Sequence, residues 1–134
     1  MLSKRTQYAF KALTFLARKD QNVPVLISEI AENQHIPLKF LENILLELRK
    51  AGVLSSKKGK GGGYALRLTP EEIRVADVVR LMNGPIAMLP CVSLHFYEKC
   101  ENCNEENCGL QRVMIEARDA TLKVLEGRTL LDML

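Results

Sequence analysis

The segment that most limits how this chain can fold is "PLKFLENILLELRKAGVLSSKKGKGGGYALRL", residues 37–68. Leu41, Ile44, Leu45 and Leu48 recur at i, i+3, i+4 and i+7, the spacing of one buried helical face. Pro37 suits the first turn of that helix, where a missing N–H costs nothing, and Gly52 suits the C′ position that ends it. Lys39, Glu42, Asn43 and Lys50 fall on the sides and back, away from the apolar stripe. Directly behind come Val53 and Leu54, then Tyr64, Ala65, Leu66 and Leu68, which read as two short strands joined by "KKGKGGG". The outcome is a helix with a polar outer face running straight into a basic, glycine-rich β-hairpin.

The rest of the chain reads as mainly helical. Tyr8, Ala9, Ala12, Leu13 and Leu16 place a first amphipathic helix over residues 4–18. After "DQNVP", Ile27, Ile30 and Ala31 mark a short helix with Ser28, or a residue just before it, as N-cap, and "NQHIP" breaks it. Thr69 and Pro70 begin a further helical region that carries Val75, Val78, Val79 and Met82 and is closed by "NGP" at 83–85. Towards the end, Leu110, Met114, Ala117, Thr121 and Val124 alternate steps of four and three, a seam like that of a coiled coil. The chain divides into 1–84, the helices and the basic hairpin; 85–109, a cysteine-rich loop; and 110–134, the last helix and tail.

Charge separates the halves. Residues 1–68 carry twelve Lys and Arg against five Asp and Glu, a balance of +7, whereas residues 69–134 carry seven against eleven, a balance of −4. A basic half is compatible with a polyanionic partner, although on charge alone a solvated surface serves as well. The order of elements decides the matter: helix, short helix, turn, helix, basic hairpin is the order of a winged helix-turn-helix, whose second helix of the pair enters the major groove. Lys39 can donate to guanine or phosphate, Asn43 can pair with adenine, and Glu42 can accept from cytosine. Lys57, Lys58 and Lys60 on the hairpin suit phosphate or minor-groove contact. The tip lacks P-loop spacing and opens no helix, so nucleotide binding is not expected. No Ser/His/Asp or Cys/His set emerges, and an enzyme is not expected.

All four cysteines lie in "CVSLHFYEKCENCNEENC", residues 91–108, spaced C-x8-C-x2-C-x4-C. In a reducing compartment such a set points to metal binding or redox chemistry before a disulfide staple. The spacing alone leaves zinc, an iron–sulfur cluster and a reversible disulfide open. Glu98, Glu101, Glu105 and Glu106 crowd the thiols, and a bound cation or cluster would relieve the repulsion a bare thiolate meets there. His95, beside Phe96 and Tyr97, and His35 are read as structural or surface residues. Lys11 interrupts the apolar character of the amino terminus and no eighteen consecutive apolar residues occur, so the chain reads as cytoplasmic, with no membrane span.

The stretch "FLENIL…LRKAG…GGGY" resembles the recognition helix and wing of the IscR/NsrR-type transcription regulators, the Rrf2 family, and the resemblance extends from "TQYAFKAL" through the cysteine loop to the last helix. It implies a winged-helix homodimer that represses or activates at a double-stranded operator with two half-sites, often under control of an iron–sulfur cluster. It carries recognition-helix contacts onto Lys39, Phe40 and Glu42 and a wing contact onto Lys58. Where the family often has proline, Lys60 stands. It also moves iron–sulfur, as 2Fe-2S or 4Fe-4S, ahead of zinc. The family's fourth ligand is a histidine after the last cysteine or a carboxylate in the first helix; Gln111 and Gln7 stand at those places. An additional cysteine is present instead, and the expected ligands are Cys91, Cys100, Cys103 and Cys108. Two other readings remain: a small electron carrier, which leaves the basic hairpin unexplained, and a helical interaction module with structural zinc.

Overall fold

A computed structural model describes residues 1–102 and 104–134. The described residues form α1 (Lys4–Ala17), α2 (Ile27–Gln34), α3 (Leu38–Lys50), β1 (Leu54–Lys57), β2 (Gly63–Leu66), α4 (Val75–Asn83) and α5 (Gly109–Glu126), in that order. Each of the first three helices starts and stops for a local reason. The Thr6 amide donates to Ser3 Oγ at 3.1 Å and caps α1. Leu26, not Ser28, holds the cap position of α2, without a side-chain bond, so Ser28 lies inside the helix. At the far end His35 adopts the left-handed conformation, φ 54°, a turn uncommon outside glycine; it brings Ile36 into the core and re-aims the chain into α3. Pro37 sits one residue earlier than expected, at the N-cap of α3.

Leu41, Ile44, Leu45 and Leu48 have no solvent exposure. They pack with Leu13 and Leu16 of α1, Ile30 of α2, and Val78 and Val79 of α4 in one core. Helix α3 ends as its glycine requires. The Gly52 amide donates to the Arg49 carbonyl and the Val53 amide to the Leu48 carbonyl, with Gly52 at φ 81°. A side chain there would also meet the Arg67 guanidinium, which holds the Gly52 carbonyl.

β1 and β2 pair antiparallel with Leu54 opposite Leu66 and Lys57 opposite Gly63. The strands therefore take one residue from each end of the expected loop, and β2 stops at Leu66, short of Leu68. A contact invisible to local pattern anchors the hairpin: Val25 and Tyr64 exchange both backbone hydrogen bonds at 2.8 Å. Gly63, at φ 145°, makes this possible, because a Cβ there would lie 2.2 Å from the Val25 carbonyl oxygen.

The helical region expected from Thr69 to Asn83 is split. Pro70–Glu72 form one 3-10 turn under a Thr69/Glu72 capping box, the chain then extends, and α4 begins only at Val75. The extended residues are occupied elsewhere: the Val75 amide donates to the Arg128 carbonyl at 3.0 Å, and the Leu130 amide to the Ile73 carbonyl at 2.8 Å. Residues after α5 thus return to the body, where Leu130 is fully buried. Helix α5 itself is the opposite of α3. Of its eighteen residues only Leu122 is buried, while Leu110, Val113 and Val124 are exposed. Beside it α1, α4 and residues 85–88 leave an apolar groove of about 660 Å³ whose walls include Phe10, Val79, Ile86, Ala117 and Leu125. Among the described residues no helix is long and apolar enough to cross a membrane.

Candidate nucleic-acid interface and thiol loop

Burying Leu41, Ile44, Leu45 and Leu48 against the core turns the opposite side of α3 to solvent, because an apolar stripe covers only part of the way round a helix. Lys39, Phe40, Glu42 and Asn43 are all exposed there. Lys57, Lys58 and Lys60 are likewise exposed, Lys57 as the last residue of β1 and the other two on the turn beyond it. Among the described residues none of these six charged or amide side chains on α3 and the wing forms an ion pair or hydrogen bond within the chain, so their charge and donors stay available. Phe40 differs: it is 53% exposed, an unusual place for a phenyl ring, and its ring meets that of Tyr8 edge-on at 6.2 Å. Sequence reasoning missed this brace, whose only signal was an aromatic residue at the border of the apolar stripe of α1. Glu47, one turn further along α3, pairs with Arg5 of α1.

The thiol loop is built between two anchored roots. At the first, Cys91 lies half-buried in a 3-10 turn, Pro90–Val92, with Val92 buried; Ser93 Oγ accepts from the Phe96 amide at 3.0 Å. At the second, half-buried Cys108 takes the N-cap position of α5, and its Sγ accepts from the Gln111 amide at 3.4 Å, the role a serine oxygen usually fills. Gln111 thus touches the thiol through its backbone. Arg118 ties the roots together by donating to the Val92 carbonyl at 2.8 Å. Between them Cys100 is exposed, and Tyr97 donates its hydroxyl to Glu105. Cys103 lies outside the described residues.

The donor set is sulfur-rich, which suits a soft metal or an iron–sulfur cluster by chemistry. Among the described residues, however, no three His, Cys, Asp or Glu side chains are gathered about a point that could hold a metal ion. Arg118 holds Val92, next to Cys91, beside α5, the helix that Cys108 caps. Gln7, at the first-helix position where the resemblance implies a carboxylate ligand, donates to the Leu2 carbonyl at 3.1 Å and faces the apolar groove.

Comparison with known proteins bears on both regions. The family model Rrf2, described as an iron-dependent transcriptional regulator, matches residues 2–134. An rrf2-like, helix-turn-helix-type transcriptional regulator of Rhodobacter capsulatus is 41% identical over 100% of this chain and 92% of its own length. The regulator NsrR of Bacillus licheniformis is 32% identical over 99% of this chain and 91% of its own. Among solved structures, that of CymR, the global cysteine regulator of Bacillus subtilis, superposes with a TM-score of 0.80 at 28% identity, covering 99% of this chain and 95% of that one.

Proposed function

The chain belongs to the Rrf2 family of transcriptional regulators, and on that premise we propose that it is a cytoplasmic homodimer that binds a double-stranded operator under the control of a metal centre in its cysteine loop. The observation that carries the DNA reading is the unpaired, exposed set on α3 and the wing, held out by a fully buried opposite face. In this reading Lys39, Glu42 and Asn43 meet base edges or phosphate from the major groove, Phe40 meets a thymine methyl, and Lys57, Lys58 and Lys60 meet phosphate from the wing. The uncovered seam of α5 supports the dimer. Leu110, Val113 and Val124 leave apolar area in water that a second α5 would cover, and the pair would fix the distance between two copies of α3.

Cys91, Cys100, Cys103 and Cys108 would hold an iron–sulfur cluster, which supplies a centre whose assembly and oxidation state follow iron and oxidant supply. The chain's own residues carry the coupling. Cys108 caps α5, and Arg118 grips the carbonyl next to Cys91. Any closure of the loop that draws these cysteines together pulls on both ends of that linkage, and hence on the helix whose seam sets half-site spacing. Two regulatory states of the dimer follow from one movement.

The test has two arms. Selection from a random duplex pool should return a site of two half-sites related by a dyad, with affinity that falls steeply as salt rises. Failure to bind duplex DNA rules out the reading. Anaerobically isolated protein should contain iron and acid-labile sulfide in matching amounts; colourless protein with stoichiometric zinc would replace the cluster by a zinc site.

A further inference from the structure

Going round α1 from its buried stripe, Ala9, Leu13 and Leu16, the next side meets α3: Arg5 pairs with Glu47, and the Tyr8 ring touches Phe40. One step further round, away from the core, stand Lys4, Lys11 and Arg18, each seven residues from the next and all exposed. Seven residues is nearly two turns, so the three cations form a single row, about 10 Å apart along the axis. On α3 the side away from the core, next to the contact with α1, carries Lys39 and Asn43. The row on α1 and the polar face of α3 therefore open onto the same surface of the molecule. The Tyr8–Phe40 contact is the seam between them.

The cations near this row are not equivalent. Arg5 is engaged by Glu47, and Lys19 by Glu29 at 3.0 Å and by the Phe15 ring. Lys4, Lys11 and Arg18 have no such partner among the described residues. Three like charges in a row, with none neutralised by an available carboxylate, cost self-repulsion that a row of phosphates would relieve, and a spacing of about 10 Å lets each cation meet a different phosphate.

We infer that Lys4 and Lys11 of α1, with Arg18 at its C-cap, form a sequence-independent phosphate-binding strip that extends the DNA interface of α3 and the wing onto the first helix. The inference rests on the operator-binding reading above. It assigns α1 a positioning role: the strip fixes the protomer on the backbone beside the groove, while the residues of α3 discriminate bases.

The experiment is fluorescence anisotropy with the full chain on two labelled duplexes, the selected operator and a scrambled one, from 50 to 300 mM KCl. The Lys4→Ala/Lys11→Ala double variant is compared with wild type and with Lys123→Ala, an exposed cation on α5. The expected result is a salt slope shallower by about two for the double variant, with the same fold-loss of affinity on both duplexes. Lys123→Ala should leave the slope unchanged, and circular dichroism should find the same thermal midpoint in all three. Wild-type binding with an unaltered slope in the double variant overturns the strip and leaves the operator reading standing. So does a loss confined to the operator duplex. Wild-type protein that binds neither duplex overturns both.

Discussion

Helix α3 and helix α5 are both amphipathic, yet one is finished and the other is not. Four apolar residues of α3 lose all contact with water inside a single chain, whereas eighteen residues of α5 bury one side chain, Leu122, and leave Leu110, Val113 and Val124 in solvent. The first pattern is solved by local neighbours, α1, α2 and α4. In the second, Leu110, Val113 and Val124 stay uncovered among the described residues. The contrast separates a body that packs itself from a helix and thiol loop that need something added, a second copy and a metal centre in the reading proposed here.

Substitutions at four positions probe the contrast. The largest effect belongs to the body: Leu45→Ala should cost about 2–5 kcal/mol in urea denaturation, the usual range for emptying a leucine site in a packed core. A change below 1 kcal/mol would mean that the α3 core is not as tight as its burial implies. Next is the anchor of the wing. Gly63→Ala places a Cβ against the Val25 carbonyl at a backbone angle that L-residues avoid, and about 1–3 kcal/mol should be lost, with weakened DNA affinity as the hairpin detaches. For α5 the readout changes from stability to association. Val124→Asp should raise the dimer dissociation constant at least about tenfold, near 1.4 kcal/mol, in sedimentation equilibrium. A wild-type chain that sediments as a monomer at micromolar concentration would remove the partner helix altogether. The smallest effect falls on the N-cap of α5. Cys108→Ala should cost about 1 kcal/mol through the lost cap, Cys108→Ser should restore most of it, and both should lower metal content.

What could be read from the sequence divides along the same line. The buried face of α3 and its glycine stop were legible because a 3.6-residue period and a C′ glycine are local signals. Nothing local announces that Val25 will pair with Tyr64, or that Leu130 will return to Ile73 and split the helical region after Thr69. Those contacts join residues 39 and 57 positions apart. The same holds at the candidate site. Periodicity was enough to put Lys39, Glu42 and Asn43 on the outer face of α3, but the brace from Tyr8 to Phe40 crosses between helices. In the thiol loop the sequence gathers four cysteines into one segment and leaves their arrangement open, since anchorage comes from Arg118 and from the cap of α5, neither of which a cysteine motif encodes.

The most direct test of coupling between the two regions is a titration of the selected operator duplex with anaerobically isolated protein, repeated on the same preparation after its metal has been removed. A change of at least about tenfold in Kd, near 1.4 kcal/mol of coupling, is expected. Identical affinities for the two forms would contradict control of the DNA-reading body by the cysteine loop.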